Sequence, residues 1–314
     1  MSKPWSIDDI SSQTGRRVIV TGANSGIGYH TAAVLARHGA EVVLACRNPQ
    51  RGAQALARLQ REVPDARVQL EQLELADLSS VRAFADRQLA LRKPLDILVN
   101  NAGVMAPPRR AETADGFELQ FGTNVLGHFA LTGLLLPAIE MAAESASERP
   151  RIVTIASIAH KTGRLDFDDL QATRHYSPMS SYRQSKLANL MFAFELDRHL
   201  RAAGSRVMSV AAHPGVAKTN LFRDDRSAVS RAARTVLSGF IGALLNSDLS
   251  GALPTLYAAT APDVVDGGYY GPLGLFEARG DTVGPAKVAS QALDKDAAKR
   301  LWEVCEALTA KAFE

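Results

Sequence analysis

Tyr182 and Lys186 lie four residues apart in "SSYRQSKLAN", residues 180–189, and the "LANLMFAFEL" that overlaps its end is apolar at helical spacing. Residues at i and i+4 share a helical face, so the pattern holds a phenol beside an ammonium. A free tyrosine titrates near ~10, and a neighbouring cation favours the phenolate and lowers that value. Such a pair suits general acid–base work on an oxygen that gains negative charge. A core tyrosine with an incidental lysine would give the same short pattern, so the rest of the chain has to decide.

A second stretch with chemistry in it is "VIVTGANSGIGYHTA", residues 18–32. Gly22, Gly26 and Gly28 stand between a β-branched run and a helical pattern, with Asn24, Ser25 and Ile27 among them. Glycines allow a tight turn and close backbone approach to a pyrophosphate, and the helix N-terminus adds unpaired N–H groups and a positive dipole end. A glycine trio alone is weak, but the strand before it and the helix after it supply the context for dinucleotide binding.

The elements that must position these residues alternate. Strands are expected at "RRVIVTG", "AEVVLACR", "RVQLEQLEL", "LDILVNNAG", "RIVTIAS" and "SRVMSVAAHPG", with helical patterns between them. Alternating strands and helices predict an α/β fold: a Rossmann-type, doubly wound parallel sheet with helices on both faces. The whole chain, 1–314, reads as a single domain with a C-terminal extension over about 276–314.

Composition narrows the class. The 314 residues are 46% hydrophobic, with 36 basic and 33 acidic residues giving a net charge of +3. That is a globular chain with no nucleic-acid signal. Nine of the basic residues are Lys and the rest Arg, so a lone Arg means little. Two Cys, Cys46 and Cys305, make neither a disulfide framework nor a metal site, and the seven His are scattered, so no metal is expected. The start has no apolar signal core, and the most apolar run, "FALTGLLLPAIEMAA", is too short to span a bilayer. A cytoplasmic protein without a transmembrane segment is the expectation.

"TGANSGIG", "NNAG" and "YRQSK", in that order, resemble the short-chain dehydrogenase/reductase family over roughly residues 15–275. "LACRN", "NVLGHFALT", "AHKTGRLDFDDL" and "YRQSKLANLMFAFEL" are similar to its retinol dehydrogenase-like and WW-domain oxidoreductase-like branch. The resemblance implies Tyr182 as the acid/base. It gives Lys186 a double role, tuning Tyr182 and bonding the nicotinamide ribose. Ser157 at the end of the fifth strand matches the catalytic serine, with Ala156 where many relatives have a second one. Thr154 lies earlier in the strand, and Ser177, Ser180 and Ser181 are the competing hydroxyls near Tyr182. Asn124 matches a residue that holds a relay water next to the lysine. His128 and His213 stand near these motifs and read as structural.

For the cofactor, the second strand ends without the acid that would bond an NAD ribose, and Arg47 follows Cys46. A missing acid removes repulsion toward a 2′-phosphate, and a guanidinium can grip it. NADP(H) is therefore expected, with Ser25 and Asn48 helping. The resemblance puts Glu74 and Leu75 at the adenine, with Asp77 as an alternative carboxylate. It puts Asn101, Ala102 and Gly103 of "NNAG" beside the adenosine ribose, and Pro214, Gly215, Val216 and Thr219 of "HPGVAKT" over the nicotinamide.

Two segments interrupt the rhythm: "IAHKTGRLDFDDLQATRHYSPMS", and residues from about 218 to 250, whose second half is amphipathic. Both leave the carboxyl edge of the sheet, where ligands bind. They are expected as a substrate wall and a helical lid. The alternatives are a surface elaboration or a subunit contact, and a homo-oligomer is compatible with the sequence. The activity expected is hydride transfer between NADP(H) and a small-molecule carbonyl or alcohol of apolar character. A carbon–carbon double-bond reductase and a non-enzymatic dinucleotide sensor are the alternatives on the same fold.

Overall fold

The computed structural model describes residues 4–145, 147–215 and 247–313. Strands β1 (Arg17–Thr21), β2 (Glu41–Cys46), β3 (Val68–Gln72), β4 (Ile97–Asn100), β5 (Arg151–Ile155) and β6 (Met208–Ala212) coincide with the six expected runs. Between them run α1 (Gly26–Arg37), α2 (Pro49–Glu62), α3 (Leu78–Ala90), α4 and α5 (Pro178–Ala202). Helix α4 opens at Leu119–Phe121, widens into a π-helical turn at Gly122–Leu126 and continues as Gly127–Ser145. Four further α-helices and strands follow among the described residues: α6 (Asp248–Thr260), the short strands β7 (Tyr269–Pro272) and β8 (Val283–Pro285), and α7 (Lys295–Thr309).

The sheet order is β3-β2-β1-β4-β5-β6-β7-β8. Strand β1 lies between β2 and β4, with Val18 opposite both Val42 and Ile97, and the chain reverses its direction of winding there. That reversal opens a crevice at the carboxyl ends of the strands. Period-2 alternation explains the two cores. Ile19, Val43, Leu98 and Ile152 face one side, packed with Phe84 of α3, Phe129 of α4, Leu190 of α5 and Trp302 of α7. Val18, Val20, Val42, Leu44, Val99 and Val153 face the other, packed with Leu35 of α1, Leu59 of α2 and Leu256 of α6. Each fully buried aliphatic side chain contributes about 1.5–3 kcal/mol by leaving water.

The structure adds to the sequence reading in three places. The sheet has eight strands, and β8 pairs antiparallel to β7, with Pro272 opposite Val283. "YYGP" and "VGP" are too short and too rich in Gly and Pro to read as strands, and they survive because one sits at the sheet edge. Residues 276–313 supply Leu301, Trp302 and Cys305 to the core, and the Trp302 ring stacks on His199 at 4.2 Å. Helix Leu119–Glu144 is, by length and composition, apolar enough to cross a bilayer, which the 15-residue run alone is not; 72% of its apolar window is buried inside the fold.

The expected lid falls almost wholly outside the described residues, as do Val216 and Thr219. Its last residues, 248–250, form the first turn of α6, where the Ser247 hydroxyl accepts from the Ser250 N–H. Helix α6 packs against α1 and the sheet. The other insertion, after β5, begins as a 3-10 turn at Ile158–Thr162 and lies across α5. A side chain at Gly163 would come within 2.6 Å of the Arg183 carbonyl. Gln184 fastens the rest, accepting from the Asp166 N–H and donating to the Leu170 carbonyl.

Candidate active site

The glycine loop closes directly after β1. Gly22 has φ +68° and its N–H donates to the Ala45 carbonyl at 2.8 Å. A Cβ there would meet the Ala102 Cα at 2.9 Å, and a Cβ on Gly28 would meet the Gly22 carbonyl at 2.6 Å. The loop is thus folded tightly enough that side chains would force it open. Gly26, with φ +56°, has open space where its Cβ would stand. Ser25 is the N-cap of α1, yet its side chain makes no capping bond. A glycine-lined turn at a helix N-terminus, open at Gly26, fits a pyrophosphate.

"NNAG" is tied to that loop through Thr21, a residue the sequence reading passed over. The Thr21 hydroxyl accepts from the N–H groups of Asn101 and Ala102, both at 2.9 Å, and Asn101 Nδ2 donates to the Thr21 carbonyl at 2.7 Å. Gly103 then turns toward α5 and the Asn124 turn of α4. A Cβ on it would stand 3.2 Å from Asn124 Oδ1 and 3.8 Å from Lys186 Nζ.

At the other end of the crevice, Arg47 and Glu74 face each other, Nε to Oε2 at 3.6 Å, with the Arg47 side chain 62% exposed. Glu74 Oε1 accepts from the Ala76 N–H at 3.0 Å. Leu75 is buried beside Gly127 of α4. Asn48 Oδ1 is engaged as the cap of α2, accepting from the Arg51 N–H at 2.8 Å. Asp77 caps α3 through the N–H groups of Ser79 and Ser80, and its bond from the Ser79 hydroxyl, with those caps, holds its carboxyl below the usual range. Asp77 is therefore committed to its helix, and Glu74 is the carboxylate left at the crevice.

Tyr182, Lys186 and Ser157 converge at the carboxyl edge. Ser157, two residues past β5, is the N-cap of the 3-10 turn, its hydroxyl accepting from the Ala159 N–H at 3.2 Å. Tyr182 is buried, and burial raises its pKa while a hydrogen bond with Ser157 pulls it down. Lys186 Nζ donates to the Ile155 carbonyl at 2.9 Å and lies 6.0 Å from the Tyr182 ring centroid. Burial alone lowers the lysine to about 8. The sequence pattern predicts a tyrosine lowered by its lysine; here desolvation outweighs any help to the phenolate, and Tyr182 is raised. Thr154 is buried within β5, opposite Asn100, away from this edge.

Asn124 sits in the π-helical turn of α4, where the Gly127 N–H reaches back to the Gly122 carbonyl. Such turns appear often at functional sites. Its amide is satisfied: Oδ1 accepts from the Val104 N–H, and Nδ2 donates to the Val104 carbonyl and the Ser185 hydroxyl. Its carbonyl accepts from His128 Nδ1 at 3.0 Å. That bond leaves Nε2 to accept from the Thr21 hydroxyl, also at 3.0 Å. Burial lowers His128 to about 4, so the ring is neutral and structural. It fastens the glycine loop to the Asn124 turn, a tertiary link that no local pattern announces.

Pro214 and Gly215 follow β6, and the Gly215 N–H donates to His213 Nδ1 at 3.2 Å. His213 is fully buried, lowered to about 4 by burial, and carries no charge at neutral pH. Beside it stand His160, whose Nδ1 is 2.7 Å from the Ser157 carbonyl, and Tyr269 of β7, whose hydroxyl is 3.4 Å from the same nitrogen.

A parallel sheet with a glycine cradle after its first strand, and a tyrosine, lysine and serine at its carboxyl edge, defines a nicotinamide dinucleotide-binding oxidoreductase. The chain belongs to the short chain dehydrogenase family, which its residues 16–230 match. Human (Homo sapiens) retinol dehydrogenase 13 is 41% identical over 291 residues, covering 92% of this chain and 82% of that one. Polyprenol dehydrogenase of Mus musculus is 43% identical over 293 residues, with the same coverage. Among solved structures, an uncharacterized protein from Mycobacterium Paratuberculosis is 40% identical with a TM-score of 0.79, covering 99% of this chain and all of that one.

Proposed function

We propose that this chain is an NADP(H)-dependent oxidoreductase acting on an apolar alcohol or the matching carbonyl compound. The observation that carries it is the convergence of Tyr182, whose phenol Ser157 pulls down against burial, and Lys186 at the edge that also holds the glycine cradle. NADPH, when bound, supplies the hydride. The chain supplies everything else. Ser157 positions the carbonyl oxygen by donating its hydroxyl proton to it. Tyr182 gives that oxygen a proton as charge develops, and burial keeps the phenol protonated and ready at neutral pH. Lys186 would hold the nicotinamide ribose, and its ammonium beside the site would stabilise the tyrosinate left behind. Asn124, in the π-turn, would hold a water that links the lysine to solvent.

Gly22, Asn24, Ser25, Gly26, Ile27 and Gly28 would hold the pyrophosphate, and Asn101, Ala102 and Gly103 the adenosine ribose. Arg47 favours NADP(H): it is exposed, and its contact with Glu74 is an exposed pair of small worth that a 2′-phosphate can replace. Leu75 and Glu74 would border the adenine, and Pro214 and Gly215 the nicotinamide, with Val216 and Thr219 next in sequence. The two named relatives act on retinol and polyprenol, both long apolar alcohols, which supports an apolar substrate. Oxidation of NADPH and NADH by the purified chain, followed with apolar aldehydes, ketones and enones, tests the reading. Aldehyde or ketone turnover with NADPH preferred is expected; turnover of enones alone, or with NADH preferred, would overturn it.

A further inference from the structure

Glu277 joins three segments around the catalytic edge. Its Oε2 accepts from Lys161 Nζ at 2.5 Å, and its Oε1 accepts from the Lys287 N–H at 2.8 Å. Lys161 lies in the 3-10 turn that begins at Ser157. His213 Nε2 is 3.8 Å from the same Oε2. The tautomer of His213 follows from its other nitrogen: Nδ1 accepts from Gly215, so the ring proton is on Nε2, on the side of the carboxylate. That buried Nε2 has no hydrogen-bond partner among the described residues. Gly271 leaves it room, since a Cβ there would stand 2.0 Å from Nε2. One buried carboxylate thus sits between the serine turn, the segment after β6 and the β7–β8 connection.

The connection it anchors is strained and apolar. Phe276 and Glu277 take φ +53° and +59°, the left-handed region that side chains disfavour. Strain of this kind persists where the surroundings fix it, and it gathers at ligand clamps. Its product here is a ring held out: Phe276 is 85% exposed and Leu273 53% exposed. β7 pairs parallel to β6, with Ala212 opposite Tyr270, so this connection leaves the sheet at the same edge as Ser157 and His213.

We propose that Glu277 is a positioning residue that holds Phe276 and Leu273 at the mouth of the site as an apolar subsite for the chain of a long aliphatic or isoprenoid alcohol or aldehyde. The proposal rests on the oxidoreductase reading and adds the part of the chain that selects substrate length. Binding there removes the exposed ring from water, so affinity grows with substrate chain length.

The test compares NADPH-dependent reduction of butanal and decanal by the wild type, Phe276→Ala, Glu277→Gln, Lys161→Met and the double variant Lys161→Met/Glu277→Gln. For decanal, kcat/KM should fall about tenfold in Phe276→Ala and Glu277→Gln, carried by KM, while butanal changes less than about twofold. The double variant should lose no more than either single one, because both remove the same ion pair. Equal losses on both aldehydes, no loss on either, or additive losses would overturn the proposal. Turnover of neither aldehyde by the wild type would instead sink the oxidoreductase reading. Calorimetry of decanol with the NADP+-loaded chain then still reads the subsite. About tenfold weaker binding to Phe276→Ala is expected; equal affinity, or binding to neither protein, overturns the proposal.

Discussion

Lys186 donates from Nζ to the Ile155 carbonyl at 2.9 Å, so the lysine of α5 is fastened to the last residue of β5. Asn189, one turn nearer the centre of the helix, reaches the same carbonyl at 3.3 Å. Two donors on one oxygen seat α5 against the sheet and fix where Tyr182 stands. The ammonium is buried for this, and burial is what depresses it.

A depressed lysine makes stability depend on pH in a definite direction. Lys186 falls from 10.5 to about 8 in the folded chain. Between those values the unfolded chain binds a proton that the folded chain has released. Stability therefore rises with pH across that window, by roughly 3 kcal/mol from this group, and the full cost of burying the charge applies below it. Urea unfolding at a series of pH values from 8 upward should show that rise, and Lys186→Met should flatten it. An unchanged slope in the variant would assign the dependence elsewhere.

Tyr182→Phe should remove turnover and leave cofactor binding nearly as it was. The ring still packs, while the hydroxyl that meets Ser157 is gone. General acid catalysis is worth about 10²–10⁴-fold, so the aldehyde-reduction rate should drop by at least that. Lys186→Ala should weaken NADPH binding as well as turnover. Fluorescence titration of NADPH alongside the rate separates the two variants; a Tyr182→Phe protein with more than a few per cent of the activity would remove Tyr182 as the acid.

What the sequence could and could not disclose follows from the range of the interactions. Strands β1 to β6 and the positions of Gly22, Tyr182 and Lys186 are local: periodicity and spacing carry them. Strands β7 and β8 are three or four residues long and gain their burial only from neighbours far along the chain, so no local pattern marks them. The same holds within the site. Ser157 and Asn124 stand out in the sequence because motifs surround them, whereas Thr21 and His128 act through bonds spanning 80 and 107 residues. Lys161 and Glu277, 116 residues apart, meet only through the β7–β8 connection. The raised Tyr182 was equally hidden, because spacing reports a neighbour's charge and says nothing of how dry the pair becomes.

Arg47 and Glu74 predict cofactor selectivity as a pair. Arg47→Asp should weaken NADPH far more than NADH, because a carboxylate would then face the 2′-phosphate. Glu74→Gln should tighten NADPH modestly, about two- to fivefold, by freeing the guanidinium from its partner, in keeping with an exposed pair worth under about 1 kcal/mol. Dissociation constants for both cofactors at one salt concentration check this. Parallel changes in NADPH and NADH would show that the adenosine end does not discriminate.

His128 predicts acid sensitivity. Its folded value of about 4 lies below the 6.5 of an exposed imidazole, so the unfolded chain takes up the proton first as pH falls. Stability is full above 6.5 and declines toward 4, by on the order of 3 kcal/mol from this ring. His213, lowered to the same value, adds to the decline. In His128→Gln the slope between pH 6.5 and 4 should be shallower than in the wild type, measured by thermal unfolding across that range; a slope equal to wild type would mean His128 does not carry it.

Gly28→Ala tests the glycine cradle without touching any catalytic group. The new methyl would stand 2.4 Å from Asn101 Nδ2 and 2.6 Å from the Gly22 carbonyl. Asn101 can swing aside, but the carbonyl is backbone within a turn that already holds φ +68°, so the loop itself has to move. Overpacking of this kind costs about 1–3 kcal/mol, which should lower the melting temperature by several degrees. Because the displaced loop is the proposed pyrophosphate seat, NADPH affinity should fall by more than tenfold while the Tyr182 environment stays intact. Calorimetric titration of the folded variant with NADPH decides it: a destabilised protein with wild-type affinity would place the pyrophosphate away from this loop.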